Sequence, residues 1–120
     1  ADRVIYLPPV ARREIPAIMA AHHVLVFPSY FEGSALSLIE GLASGLALIQ
    51  TPMSGAGVTG RTGIMLERPD SEFLLAAMRS MIEDRDRLDA FRAAAQDEAQ
   101  AYTFARYRER IAALLDDLRL

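Results

Sequence analysis

Residues 24–45 read VLVFPSYFEGSALSLIEGLASG, and this stretch decides the fold. The apolar run Val24–Phe27 ends at Pro28, small and polar residues follow, and apolar residues then recur at helical spacing from Leu36. A short apolar run bounded by proline is typical of a buried strand, and the later spacing is typical of a helix. The stretch therefore predicts a strand, a loop and a helix, in that order.

Two glutamates stand alone in this part of the chain. Glu32 and Glu40 are the only Asp, Glu, Lys or Arg residues between Glu14 and Arg61. The positions one helical turn from Glu40 hold no basic residue, so an ion pair within the helix is excluded. Both carboxylates are therefore expected to find their partners outside the stretch.

The predicted helix has an apolar arc with Glu40 at its edge. Placing residues at helical spacing puts five apolar side chains on one broad arc, namely Leu36, Leu38, Ile39, Leu42 and Ala43. Glu40 is expected to be half covered, with its carboxylate at the rim of a cleft.

The loop before the helix offers backbone groups to an anion. Gly33 permits close approach of another group to the backbone. The N–H groups of Ser34, Ala35, Leu36 and Ser37 are expected to be free at the positive end of the helix. A pyrophosphate can be held there without lysine, which the chain lacks.

These residues fall in register with a known motif. Retaining GT-B glycosyltransferases of family-four type, the glycosyl transferases group 1, carry P-S-x-x-E-G-x6-E-x4-G, and the chain resembles them at Pro28, Ser29, Glu32, Gly33, Glu40 and Gly45. The likeness runs over residues 1–84 through four flanking segments: Arg3–Leu7 as a strand, Glu14–Ala21 as a helix, Leu46–Thr51 as a strand and Gly63–Leu66 as a short strand. The chain departs from the family where many members carry Phe, Gly and Pro, at Ser34, Ala35 and Ser37.

The resemblance implies an α/β fold, with a Rossmann-like parallel sheet and flanking helices, as part of the C-terminal domain of a GT-B enzyme. Alternating strand and helix patterns independently predict such a sheet. A length of 120 residues with 52% hydrophobic content fits one core. Residues 1–120 are thus expected to form a single partial domain that lacks the N-terminal acceptor domain and transfers no sugar by itself.

The resemblance also implies function. The donor is a nucleotide sugar, UDP- or GDP-linked, and the acceptor is a glycan, a lipid or a small molecule. Glu32 is implied to be catalytic by holding a hydroxyl of the transferred sugar, and Glu40 to bind the ribose. The implied donor-binding residues are Glu32, Gly33, Ser34, Ala35, Leu36, Ser37 and Glu40, with no metal or cofactor. Two alternatives stay open: a nucleotide-sugar epimerase of the same architecture and a non-catalytic nucleotide-sugar-binding domain.

The composition of the chain excludes several classes of protein. A net charge of -3 does not provide the excess of basic residues that is typical of nucleic-acid-binding domains. The absence of cysteine excludes a disulfide scaffold and fits a reducing compartment. No apolar run approaches the roughly 18 residues that span a bilayer. The expected location is the cytoplasm or the inner face of its membrane, where contact of the full-length enzyme with lipid would be peripheral.

The remaining features have ordinary interpretations. Asp84 and Asp86 resemble a metal motif but are interpreted as solvated acids at a helix start, and His22 with His23 as residues at a helix end. The glycines of residues 54–60 are interpreted as a flexible loop, while Tyr30 and Phe31 either stack on a ligand or pack on the sheet.

Helices are predicted over Ser71–Asp84, Arg85–Ala101 and Phe104–Leu118, with Asp70 or Ser71 capping the first and Thr103 the last.

Overall fold

Three short parallel strands form the sheet in the computed structural model, which describes residues 3–119. They are β1 (Val24–Phe27), β2 (Ala47–Gln50) and β3 (Gly63–Met65), in the order β1-β2-β3. Val24 pairs with Ala47, and Leu48 pairs with Gly63. The predicted Rossmann-like parallel sheet is confirmed.

Within the described residues, five α-helices accompany the sheet: α1 (Ile15–Ala20), α2 (Leu36–Ala43), α3 (Ser71–Glu83), α4 (Arg85–Ala99) and α5 (Phe104–Asp117). Short 3-10 helices occur at Arg12–Glu14, Pro52–Ser54 and Gln100–Tyr102. None of the helices within residues 3–119 is long and apolar enough to cross a membrane.

Two of the helix caps follow the sequence prediction. The Asp70 carboxylate accepts the N–H of Phe73 at 3.1 Å, so Asp70 rather than Ser71 caps α3. The Thr103 hydroxyl accepts the N–H of Arg106 at 3.2 Å and caps α5. Both caps satisfy donors that a helix start leaves without a partner.

The core lies on both faces of the sheet because successive strand residues point to opposite sides. Ala47 and Ile49 belong to a buried cluster with residues of α3 and α4, including Met81, Leu88 and Phe91. Leu48 belongs to a second cluster with residues of α2 and the later part of α4, including Leu38, Leu42 and Ala95. Thus α4 contributes to both clusters and fixes the position of α2 against β2.

The buried face of α2 is rotated from its predicted position. Leu38 and Leu42 are fully buried as expected, but Leu36 is 65% exposed and Ala43 is also exposed. Gly41 is buried instead, and a Cβ there would lie 2.8 Å from Leu25 Cδ2. The helix approaches β1 through this glycine, which turns Leu36 towards solvent.

The prediction of a strand at Arg3–Leu7 is wrong. The segment has no regular secondary structure from Val4 onward, and the side chains of Val4, Ile5 and Tyr6 are 83%, 84% and 84% exposed. A strand requires a neighbour for its N–H and C=O groups. In the order β1-β2-β3 one edge of β1 is open, and the segment does not pair with it. Its apolar composition matched a strand, but composition does not decide whether a segment pairs with an open edge.

Candidate functional site

Two loops meet beyond the carboxyl ends of β1 and β2. The Thr51 hydroxyl donates to the carbonyl of Ser29, and the Ser54 hydroxyl donates to the carbonyl of Phe27 at 3.1 Å. The N–H of Ala35 donates to the carbonyl of Ser54 at 3.0 Å. These bonds join the loop after β2 to the loop that leads into α2, at the edge where parallel sheets bind ligands.

The start of α2 is a partly free helix terminus. Ala35 occupies the cap position, where it has no side chain able to accept a hydrogen bond. The expectation that all four N–H groups from Ser34 to Ser37 are free is wrong for Ala35, whose N–H is used by Ser54. The N–H groups of Ser34, Leu36 and Ser37 donate to no oxygen in the part of the chain that the structure describes. The helix therefore presents positive partial charge without a side-chain cap.

Glu32 and Gly33 face open space beside this terminus. Glu32 is exposed, and its carboxylate makes no hydrogen bond or ion pair with residues 3–119. A Cβ built at Gly33 would meet no atom within 4 Å. The backbone at this point is thus accessible to a bound molecule, as the sequence predicts.

Glu40 has a partner from outside the motif. Its carboxylate lies 3.3 Å from the guanidinium of Arg12, in the 3-10 helix before α1. The side chain of Glu40 is 39% exposed and that of Arg12 is 87% exposed. The half-covered position and the external partner are therefore confirmed for Glu40, while an ion pair this exposed contributes at most about 1 kcal/mol.

Sequence reasoning missed Gln50, a fully buried polar residue at the end of β2. Its side-chain nitrogen donates to the carbonyl of Gly55 at 2.8 Å, and its oxygen accepts the N–H of Val58 at 2.7 Å. The glycine-rich loop is thereby tied to the sheet, and β3 rather than a helix follows it. The sequence signal that could have identified Gln50 is a polar residue at the end of an otherwise apolar strand.

Gly55 brings this loop against the start of α2. Its φ of +93° and ψ of -157° lie in a region that is open essentially to glycine alone. A Cβ there would lie 3.0 Å from the Cα of Ser34.

Gly55→Ala is expected to lower the free energy of unfolding by about 1 to 3 kcal/mol through backbone strain. Urea denaturation measures the change. Gly60→Ala is the matched control, because a Cβ at Gly60 meets no atom within 4 Å. Equal stability of the Gly55→Ala variant and the wild type would contradict the proposed strain.

The two aromatic residues of the first loop do not pack on the sheet. Tyr30 is 76% exposed and Phe31 is 87% exposed. The packing alternative is therefore wrong, and both rings are accessible for stacking on a planar or sugar ligand.

Asp84 and His22, which lie outside the site, have local roles. The Asp84 carboxylate accepts the N–H of Arg87 at 3.0 Å and caps α4, as expected for an acid at a helix start. A ring nitrogen of His22 lies 2.6 Å from the carbonyl of Ile18 at the end of α1. Within residues 3–119, no group of three His, Cys, Asp or Glu side chains is placed to hold a metal.

Replacing Asp84 and Asp86 together by Asn is expected to change the free energy of unfolding by less than about 0.5 kcal/mol, because asparagine caps helices as well as aspartate does. Thermal unfolding with and without chelator tests this expectation. Asp84→Ala is the control, and it is expected to lower the free energy of unfolding by about 1 kcal/mol because alanine cannot cap the helix. A rise in wild-type melting temperature with Mn²⁺ that the double variant lacks would indicate a metal site instead.

Comparison with known proteins agrees with this geometry. Residues 1–84 match the sequence family described as "Glycosyl transferases group 1". A D-inositol 3-phosphate glycosyltransferase of Rhodococcus opacus is 31% identical over 107 residues, which cover 87% of this chain and 24% of that protein. The enzyme of the same name from Corynebacterium diphtheriae is 28% identical over 120 residues, covering 98% of this chain and 28% of that protein. The chain thus spans about a quarter of the length of these relatives.

A solved structure shares the fold. Sucrose-phosphate synthase from Thermosynechococcus elongatus superposes with a TM-score of 0.80 at 22% identity, covering 98% of this chain and 30% of that one. The similarity extends beyond residue 84 and therefore includes α4 and α5.

Proposed function

The chain belongs to the glycosyl transferases group 1 family, and on this premise we propose that it forms the donor-binding part of a retaining glycosyltransferase that uses a nucleoside-diphosphate sugar. The observation that carries the proposal is the start of α2. It is a helix terminus without a side-chain cap, and a carboxylate lies on each side of it along the chain.

The diphosphate is assigned to this terminus. The N–H groups of Ser34, Leu36 and Ser37 have no acceptor in the part of the chain described, and α2 adds its dipole. Backbone N–H groups at a helix start bind phosphate oxygens without requiring lysine. Gly33, where a Cβ would meet no atom within 4 Å, leaves room for the phosphates to approach.

The two glutamates are assigned to the two ends of the donor. Glu40 lies one helical turn after Leu36, about 6 Å along the axis, which suits the ribose next to the diphosphate. Glu32 lies on the other side of the terminus and is exposed, which suits a hydroxyl of the transferred sugar. The order Glu32, helix terminus, Glu40 thus corresponds to the order sugar, diphosphate, ribose.

The chemical role of this arrangement is to orient the sugar and to stabilise the leaving group. Glu32 holds the sugar so that its anomeric carbon faces the acceptor hydroxyl, and the N–H groups stabilise the charge that develops on the departing diphosphate. Further basic groups are proposed to come from outside residues 1–120. In this proposal no metal is needed, and Asp84 acts as a helix cap.

The acceptor is proposed to bind to a second domain outside these 120 residues, in the cytoplasm or at the inner face of its membrane. The length of the relatives supports this division, because the chain covers only 24% and 28% of them. The epimerase alternative is not favoured, since these relatives are named as transferases. A non-catalytic binding domain would share the donor site and differ in lacking transfer by the full-length protein.

Nuclear magnetic resonance of the 120-residue chain tests the diphosphate site. Addition of UDP or GDP is expected to shift the amide signals of Ser34, Leu36 and Ser37, whereas uridine or guanosine is expected to leave them nearly unchanged. The amide of Phe73 is the internal control, because its N–H already donates a hydrogen bond to the Asp70 carboxylate. Shifts confined to residues outside the two loops would contradict the proposal.

A further inference from the structure

Gln50 is the polar residue of β2, and its side chain is fully buried. The other residues of the strand, Ala47, Leu48 and Ile49, are apolar and equally buried. An apolar side chain would fill the position of Gln50 without the cost of removing an amide from water. What the amide adds is a set of directed hydrogen bonds, which select one arrangement of the groups around it.

The amide of Gln50 bridges the two ends of residues 55–58, in the glycine-rich loop after β2. Its nitrogen donates to the carbonyl of Gly55 at 2.8 Å, and its oxygen accepts the N–H of Val58 at 2.7 Å. The nitrogen also donates to the carbonyl of Thr51 at 3.3 Å. In the part of the chain that the structure describes, the Gly55 carbonyl and the Val58 N–H make no other hydrogen bond. Loss of the amide would therefore leave two backbone groups of the loop unpaired.

Residues 55–58 lie directly against the start of α2. A Cβ at Gly55 would lie 3.0 Å from the Cα of Ser34, just before the helix. A Cβ at Gly57 would lie 3.1 Å from the Cβ of Leu38, in the first turn of the helix. The loop thus contacts the start of α2 at two points, and a shift of the loop would be transmitted to that start.

We propose that Gln50 is a positioning residue for the donor site, an inference that rests on the proposed function. Gln50 is fully buried, so it acts through residues 55–58 and not by touching the donor. These residues lie against Ser34, whose N–H is assigned to the diphosphate, and they follow Ser54, whose carbonyl accepts the N–H of Ala35 at 3.0 Å. The position of the loop thus sets the direction of the N–H groups at the start of α2, and hydrogen bonds weaken steeply when they are misaligned.

Other hydrogen bonds hold the earlier part of the loop without Gln50. The hydroxyls of Thr51 and Ser54 donate to carbonyls at the end of β1 and just beyond it. Loss of the Gln50 amide therefore loosens the residues after Ser54 and leaves the earlier ones in place. It is expected to weaken diphosphate binding rather than to abolish it.

Calorimetric titration of the 120-residue chain with UDP and GDP tests the role of Gln50. Gln50→Met keeps a side chain of similar length and removes its hydrogen bonds. It is expected to raise the dissociation constant of the nucleoside diphosphate about tenfold, because the N–H groups no longer converge on the phosphate oxygens. Ile49→Val is the control, since Ile49 is the preceding buried residue of β2 and packs on the opposite face of the sheet. It is expected to lower the melting temperature and to leave the dissociation constant unchanged.

Amide hydrogen exchange without ligand is the second measurement. The N–H of Ala35 is expected to exchange about tenfold faster in Gln50→Met than in the wild type or in Ile49→Val, because only the first variant loosens the loop that holds it. Where Gln50→Met does not fold, Gly57→Ala replaces it, since a Cβ at Gly57 would overlap the side-chain oxygen of Gln50. The same two changes are expected in that variant.

The outcomes separate this inference from the proposed function. Wild-type affinity and wild-type Ala35 exchange in a folded Gln50→Met variant would overturn the role of Gln50 and leave the donor site standing. An equal loss of affinity in Ile49→Val would do the same, because it would assign the effect to stability in general. Failure of the wild type to bind either nucleotide would contradict the proposed function itself, and this inference with it.

Discussion

Glu32→Gln is expected to lower kcat about 10- to 150-fold in the full-length transferase, the equivalent of one charge-assisted hydrogen bond of 1.5 to 3 kcal/mol. Glu32 is assigned to the transferred sugar, next to the reacting carbon. An interaction that strengthens at that carbon during reaction affects the transition state more than the ground state. Affinity for the free nucleoside diphosphate is therefore expected to remain nearly unchanged.

Steady-state kinetics of the full-length protein measure this effect. Glu83→Gln is the matched control, because Glu83 is an exposed glutamate at the end of α3. Unchanged kcat in the Glu32→Gln variant would contradict the catalytic assignment. A loss of nucleoside diphosphate affinity in that variant would instead place Glu32 at the ribose.

Glu40→Gln is expected to weaken donor binding about 10- to 150-fold and to raise KM by a similar factor, with a smaller effect on kcat. The ribose is held in the same way throughout the reaction, so its contacts contribute equally to the ground state and the transition state. The neutral amide also loses the charge that pairs with Arg12, 3.3 Å away.

Arg12→Ala separates these two contributions. It removes the same ion pair but leaves the Glu40 carboxylate free to accept ribose hydroxyls. Because the side chain of Arg12 is 87% exposed, its loss is expected to change donor affinity less than about fivefold, the equivalent of 1 kcal/mol or less. Equal losses in the Arg12→Ala and Glu40→Gln variants would assign the effect to the ion pair rather than to the ribose.

The sequence predicted the strand and helix that frame the site because their signals are local. Val24–Phe27 is a short apolar run that ends at Pro28, and Leu38 and Leu42 repeat at helical spacing. The structure places Val24–Phe27 in a half-buried strand and buries Leu38 and Leu42 in α2. Asp70 and Thr103 were identifiable for the same reason, since a cap is set by residues three positions apart.

The features that the sequence did not predict depend on contacts between distant parts of the chain. The exposure of Leu36 follows from the approach of Gly41 to Leu25, which no periodicity reveals. The N–H of Ala35 is occupied because residues after β2 fold back onto it. The Arg12 to Glu40 pair likewise joins residues 28 positions apart. Arg3–Leu7 shows the converse, because a local strand pattern did not lead the segment to pair with the open edge of β1.

Calorimetric titration of the 120-residue chain with UDP and GDP tests the central claim most directly. We predict that at least one of them binds to the wild type and to Glu32→Gln with similar affinity, and that Glu40→Gln binds it about 10- to 150-fold more weakly. Loss of affinity in Glu32→Gln with retention in Glu40→Gln would reverse the two assignments. Equal binding by all three proteins, or binding by none, would contradict the claim that the start of α2 and Glu40 form the donor site.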